Sequence, residues 1–314
     1  MPIGEKNQVM KHFNLLTTTG RWIKWPGFFL YVLTLAVFLW GCAVTSTQKL
    51  HVADISGSFP EGTIISTRQG GPVSMGELFK DLESCRITYV GEKHTSVADH
   101  KIQLQIIQAL YQNNPNLAVG MEMFDHSYQD VLDLWSAGNL DETAFLRMVH
   151  WYANWRYDFA LYRDILNFIK DHHIRLVGLN IPNHIPPKIR EGGITSLRDD
   201  EKKHLPAEID TTQAAHRKYV QAVFNRHHQL AGRIDFEDFY AAQTVWEEAM
   251  AEAIAKNLKD ADMVVLAGNG HIQFKYGIPD RAYKRTGASF RTIYPASVGG
   301  EVEANIADYV WVSE

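Results

Sequence analysis

The chain has 314 residues, 46% hydrophobic and 21% charged, with a formal net charge of −5. That length and apolar content suffice for one large core or a core plus a smaller domain. Residues 1–42 carry Lys6, Lys11, Arg21 and Lys24 against Glu5, so without them the formal charge is −8. An acidic body lacks the basic patch that phosphate backbones need, which argues against nucleic acid as a partner. Two cysteines, Cys42 and Cys85, allow at most one disulfide and no cysteine-ligated zinc.

Arg21 and Lys24 precede the apolar run Gly27–Trp40, and Gly41-Cys42 follows. A basic region, an apolar segment of about 14 residues and a small residue before the cut describe a secretory signal over 1–41. Leu39, Gly41 and Cys42 resemble the bacterial lipobox, in which the cysteine thiol is lipidated and becomes the new N-terminus. Ala43, not Asp, follows it, so resemblance to sorted lipoproteins implies the outer membrane of a bacterial cell envelope. The alternative is a plain anchor, since no charge falls between Lys24 and Lys49 and about 20 apolar residues span a bilayer. Residues 42–60, with Gly57, Ser58 and Pro60, then read as the lipidated N-terminus and a linker.

From residue 61 to 314 strand and helix patterns alternate. Thr63–Thr67 suits a first strand, and Ser74 with Glu77 sets a capping box for a helix to Leu82. Ile87–Val90 is a β-branched and aromatic run that leads through Gly91-Glu92-Lys93-His94 into a helix with Ile102, Ile106 and Leu110 on one stripe. His100 falls on that helix's first turn. Leu117–Phe124 suits a buried parallel strand with Glu122 near its carboxyl end. Residues 131–169 are mostly helical and contain the aromatic cluster Trp151 to Tyr157, which reads as core or interface packing or as the wall of a flat ligand site.

Ile174–Leu179 is another buried strand, followed by Asn180 and Asn183. Pro182 to Pro187 break the pattern, and residues 186–238 read as a small helical insertion or lid. Phe239–Leu258 is helical with Phe239, Ala242, Trp246, Met250, Ala253 and Leu258 on one face, which puts Glu247, Glu248 and Glu252 on the expected solvated side. Met263–Ala267 runs into Gly268-Asn269-Gly270-His271; Gln273 stands where a dinucleotide fingerprint needs its third glycine. Ser289–Tyr294 and Tyr309–Val312 close the chain as strands expected at the sheet's edge. The fold class is α/β, a mostly parallel sheet flanked by helices with a smaller helical insertion.

Parallel strands put their carboxyl ends on one edge, so Glu92, His94, Glu122, Asn180, Asn183 and His271 could share a crevice. Two carboxylates and two imidazoles there suit a divalent metal on Glu92, His94, Glu122 and His271, or an acid–base pair without metal. No HExxH, nucleophile elbow or P-loop occurs.

The stretches GEKHTSVADHKIQLQ, VGMEMFD, WYANWRYDFALYRDIL, AAQTVWEEAMAEAIA and VVLAGNGHIQFKYGIPDR together resemble the ChaN-like family of iron-regulated, haem-binding lipoproteins. The motifs run in order from about Ile87 to Pro295. The wider superfamily holds Tiki-type metalloproteases and erythromycin-esterase-like hydrolases. What the resemblance implies is an α/β body with a smaller helical domain, haem held at a homodimer interface, and a role in iron acquisition, with an outer-membrane haem receptor as a partner. Glu92, His94, Glu122 and His271 match the positions that metal-using members employ, although Thr95 stands where an acidic residue would support the metal. Haem in the family is held by a tyrosine, for which Tyr276 is the candidate, with Tyr152 and Tyr157 behind it. Two functions compete: a haem-binding lipoprotein of the outer membrane, and a metal-dependent hydrolase, peptidase or esterase, in which Glu92 or Glu122 moves the proton.

Overall fold

The structure is a computed structural model that describes residues 48–226 and 234–314. The signal segment and Cys42 lie outside the described residues. Eleven strands are described: β1 Leu50–Val52, β2 Ser58–Phe59, β3 Ile64–Ser66, β4 Gly71–Val73, β5 Ile87–Val90, β6 Leu117–Asp125, β7 Arg175–Asn180, β8 Asp262–Leu266, β9 Phe290–Ser297, β10 Glu301–Val302 and β11 Tyr309–Ser313. The helices used below are α1 Met75–Leu82, α2 Val97–Asn113, α3 Gln129–Ser136, α4 Glu142–Met148, α5 Trp151–Asn154, α6 Arg163–Asp171, α7 Ile185–Gly192, α8 Asp199–Lys202, α9 Ala214–Arg226, α10 Phe236–Leu258, α11 Asn269–Ile272 and α12 Ile278–Thr286.

Eight strands form one sheet in the order β4-β3-β11-β9-β5-β8-β6-β7. The six from β11 to β7 pair in parallel, and β3 and β4 add an antiparallel hairpin. Strands buried on both faces read as continuous apolar runs, and β5 and β6 are buried at every residue. One face is covered by α2, α3, α4 and α6 through Ile106, Leu132, Phe145 and Leu166. The other is covered by α10 and α12 through Met250, Ile254, Ile278 and Ala282. Helices on both faces of a parallel sheet confirm the α/β class.

Three features differ from the sequence reading. The strands β9 and β11 are interior, because the β3–β4 hairpin pairs onto β11 and takes the edge. Part of the stretch read as linker folds: β1 and β2 join β10 in a small second sheet, with Leu50, Val52 and Phe59 buried. The acidic side of α10 is not solvated; Glu247 and Glu248 are buried, and only Glu252 is part-exposed, paired with Lys256. The cause is tertiary: α9 and α12 cover that side with His216, Arg281 and Arg285. Among the described residues, 186–238 hold most of α7, all of α8 and α9 and the start of α10, and Ile185, Ile189 and Leu197 pack on α10 through Ala242 and Val245.

The strand order also fixes where a ligand can sit. The chain runs from β5 past one position to β6 and β7, then returns to place β8 between β5 and β6. That reversal opens a crevice at the carboxyl ends of β5, β8 and β6.

Candidate functional site

The crevice is assembled from the loops after β5 and β8 and from the end of β6. Gly91 lets the first two approach: a Cβ there would lie 1.9 Å from Asn269 Oδ1. Glu122 sits where the β6–β7 register slips between Met121 and Asp125, and such a bulge re-aims side chains out of the pleat. Asn180 holds the bulge, its Nδ2 donating to the Glu122 carbonyl at 2.9 Å. Asn183 lines the cavity beside Glu122, and its Nδ2 donates to the carbonyls of Ala153 and Asn154, closing the end of α5.

Glu92 is buried and fully engaged. Its Oε1 lies 2.7 Å from His94 Nδ1 and accepts from the Tyr162 hydroxyl at 2.6 Å. Its Oε2 accepts from Gln103 Nε2 at 2.9 Å and lies 3.4 Å from His100 Nδ1. Burial alone would raise the Glu92 pKa, but His100 and His94 outweigh it and hold the carboxyl at about 2. Burial opposes charge on His94 as well, and its bond to Glu92 together with the Glu122 charge overcomes this and raises the imidazole pKa.

A second histidine is held in the same way. His271 Nδ1 lies 3.3 Å from Glu247 Oε1, and its Nε2 lies 3.5 Å from Glu122 Oε1. Gln243 Nε2 donates to Glu247 Oε1 at 2.7 Å. On the far side of Glu247, His216 Nε2 approaches Oε2 to 2.9 Å and Arg281 Nε to 3.4 Å, neither as a directed hydrogen bond. Arg281 also bonds Glu248, whose other oxygen meets Arg285 at 2.6 Å. Despite burial, which lowers it, the charges of Glu122 and Glu247 push His271 up to about 10. Burial likewise works to raise Glu122 and Glu247, and their histidines hold both carboxyls below the usual range.

Glu122 lies between the two histidines. Its Oε2 accepts from the Gly268 N–H at 2.7 Å, and a Cβ on Gly268 would fall 2.9 Å from the His94 ring and 3.6 Å from that same oxygen. The sequence thus brings Glu92, His94, Glu122 and His271 together, as expected. It does not form them into a metal shell: among the described residues no three His, Cys, Asp or Glu side chains converge on a metal position. The reason is orientation, since Glu92 spends both oxygens on His94, Tyr162, Gln103 and His100. The divalent-metal expectation gains no support from this arrangement, in which the four side chains form carboxylate–imidazole pairs.

Sequence reasoning missed Tyr162, Gln103, Gln243, Glu247, His216 and Arg281. Glu247 follows Trp246 on α10, and only the side chains that α9 and α12 lay over it, His216 and Arg281, reveal that it faces inward. Indole rings close the crevice: Trp155 packs edge-on against His94 at 4.8 Å and Trp246 against His271 at 5.0 Å. Both line a cavity of about 450 Å³ beside Glu122.

The three tyrosine candidates differ in their surroundings. Tyr276 follows the turn Gln273–Lys275, where Phe274 and Lys275 adopt φ of 57° and 66°. It stacks on Phe274 with centroids 5.5 Å apart and lies 6.5 Å from Tyr219. Tyr152 is 60% exposed on α5, and Tyr157 packs on His94 and Trp155.

A sequence model of the family described as haem-binding uptake, Tiki superfamily, ChaN matches residues 78–282. The chain belongs to this family. Among solved structures, the protein described as cofacial heme binding to ChaN of Campylobacter jejuni matches with a TM-score of 0.66 at 19% identity. The match covers 80% of this chain and 96% of that one, so the whole ChaN fold is present here. An erythromycin esterase mutant in its open conformation matches at 17% identity and a TM-score of 0.45 over 76% of each chain. No curated protein matches the sequence.

Proposed function

We propose that the chain binds ferric haem and serves haem or iron acquisition as a lipoprotein of the outer membrane, anchored through Cys42. The observation that carries the reading is family membership across residues 78–282. The ChaN-like motifs add a homodimer with haem between its subunits and transfer to or from an outer-membrane receptor. Tyr276 is the proposed iron ligand. Its hydroxyl makes no hydrogen bond among the described residues, and Phe274 and Tyr219 extend an aromatic surface beside it. An anionic phenolate oxygen suits ferric iron, and flat aromatic faces suit a porphyrin.

Hydrolysis is the weaker reading. A general base works best with a pKa near the operating pH. Here His271 is pushed up to about 10 and Glu92 is held at about 2. Neither group is poised near neutrality, which does not favour either of them as the proton-transfer group.

Absorption titration of residues 43–314 with ferric haem, with sedimentation on the same samples, tests the proposal. Saturable binding with a tyrosinate-type spectrum, dimerisation on loading and loss of both in Tyr276→Phe are expected. Unsaturable, non-specific uptake would refute haem binding. Wild-type binding that Tyr276→Phe leaves intact would refute the ligand alone. Ester turnover abolished by Glu122→Gln would restore the hydrolase.

A further inference from the structure

The cavity beside Glu122 carries charge that the crevice leaves unused. Its lining includes Trp155, Trp246 and Phe239, the acids Glu122 and Asp125, and the cations Arg156 and Arg190. At about 450 Å³ it falls in the range of roughly 300–1,000 Å³ usual for small-molecule sites. Both acids are already satisfied within the protein. Glu122 takes the Gly268 N–H and faces His271, while Asp125 Oδ1 accepts from the Ser127 N–H at 2.8 Å and from its hydroxyl.

Arg156 is exposed and Arg190 half-buried. Neither Arg156 nor Arg190 forms an ion pair among the described residues, whereas Arg86, Arg163, Arg217, Arg281, Arg285 and Arg291 each do. The Arg190 Nε is buried with no acceptor. Arg156 is held at φ 72°, a left-handed conformation that is costly outside glycine and persists where the surroundings impose it. The indole N–H groups of Trp155 and Trp246 are likewise buried with no acceptor. Buried donors left unpaired cost free energy, so this lining offers unpaired N–H donors and two guanidinium groups beside flat apolar walls.

We propose that this cavity binds a small organic anion within a single subunit: a carboxylate on Arg156 and Arg190, with a flat apolar group against Trp155 and Trp246. A guanidinium fork matches a carboxylate bidentately. The site shares no residue with Tyr219, Phe274 and Tyr276, so it is tested without haem and stands or falls apart from the haem reading.

The test is tryptophan-fluorescence titration of the haem-free protein with phenylacetate, its neutral isostere phenylacetamide, and inorganic phosphate. Phenylacetate should quench saturably and bind about tenfold or more tightly than the amide. Arg156→Gln and Arg190→Gln should each weaken phenylacetate roughly five- to tenfold and leave the amide unchanged. Arg147→Gln, an exposed residue outside the lining, should change neither, and thermal melts confirm that all three variants fold. Equal affinity for acid and amide, indifference to both arginine substitutions, phosphate binding as tightly as phenylacetate, or no saturable quenching would each overturn the proposal.

Discussion

Two buried carboxylates hold the crevice histidines from behind, Glu92 at His94 Nδ1 and Glu247 at His271 Nδ1, and they are built in opposite ways. Glu92 is served by near neighbours in the chain, His94, His100 and Gln103, plus Tyr162. Glu247 is served from four elements, by His216 on α9, Gln243 on its own α10, His271 on α11 and Arg281 on α12. The first side comes mainly from one strand–loop–helix unit, with Tyr162 added from 70 residues away. The second exists only when the helices on that face are docked, so its energy is also the energy of docking them.

The largest expected effect breaks the second side. Arg281 is fully buried against Glu247 and Glu248. Arg281→Met leaves those acids with less compensation, and removing one partner of a buried ion cluster costs about 3–5 kcal/mol. Urea denaturation should show that loss. A loss under about 1 kcal/mol would mean that Glu248 and Arg285 carry the cluster alone.

On the first side, Gly91→Ala forces a Cβ toward Asn269 Oδ1 at 1.9 Å. Overpacking costs about 1–3 kcal/mol, and thermal unfolding should report it. Tyr162→Phe removes only the donor to Glu92 Oε1, worth about 1–3 kcal/mol for a bond to a buried charge. The same denaturation series should place it below Arg281→Met. A reversed order would show that the local unit, not the docked helices, dominates.

The smallest effect is remote and sharpens the comparison as a control. The Asp81 carboxyl is held below its usual pKa by its bond to Arg291, against burial, with Tyr309 donating as well. A depressed folded pKa contributes stability that is present above the unfolded value and lost as pH falls through the folded one. The acid limb of a stability–pH curve should therefore flatten in Asp81→Asn. An unchanged limb would remove this pair from the account.

The same contrast explains what was legible. Apolar periodicity and glycine placement mark β5, β6, β7 and β8 to within a residue, and the polar group after each strand marks the crevice. Glu92, His94, Glu122 and His271 follow from that local logic. Glu247 did not, because a glutamate on an otherwise amphipathic helix reads as solvated until His216 and Arg281 are brought over it by tertiary packing. The interior positions of β9 and β11 were hidden for a similar reason, since nothing in their sequences announces the β3–β4 hairpin that takes the edge. Ligand types alone could not show that Glu92 points into its own histidine.

The central claim is that haem is bound by the chain and not by this locked crevice. Ferric-haem absorption titration of wild type beside Glu122→Gln tests it most directly. The account predicts saturable binding with the same affinity and spectrum in both. Haem binding that disappears with Glu122, or that never saturates in wild type, would contradict it.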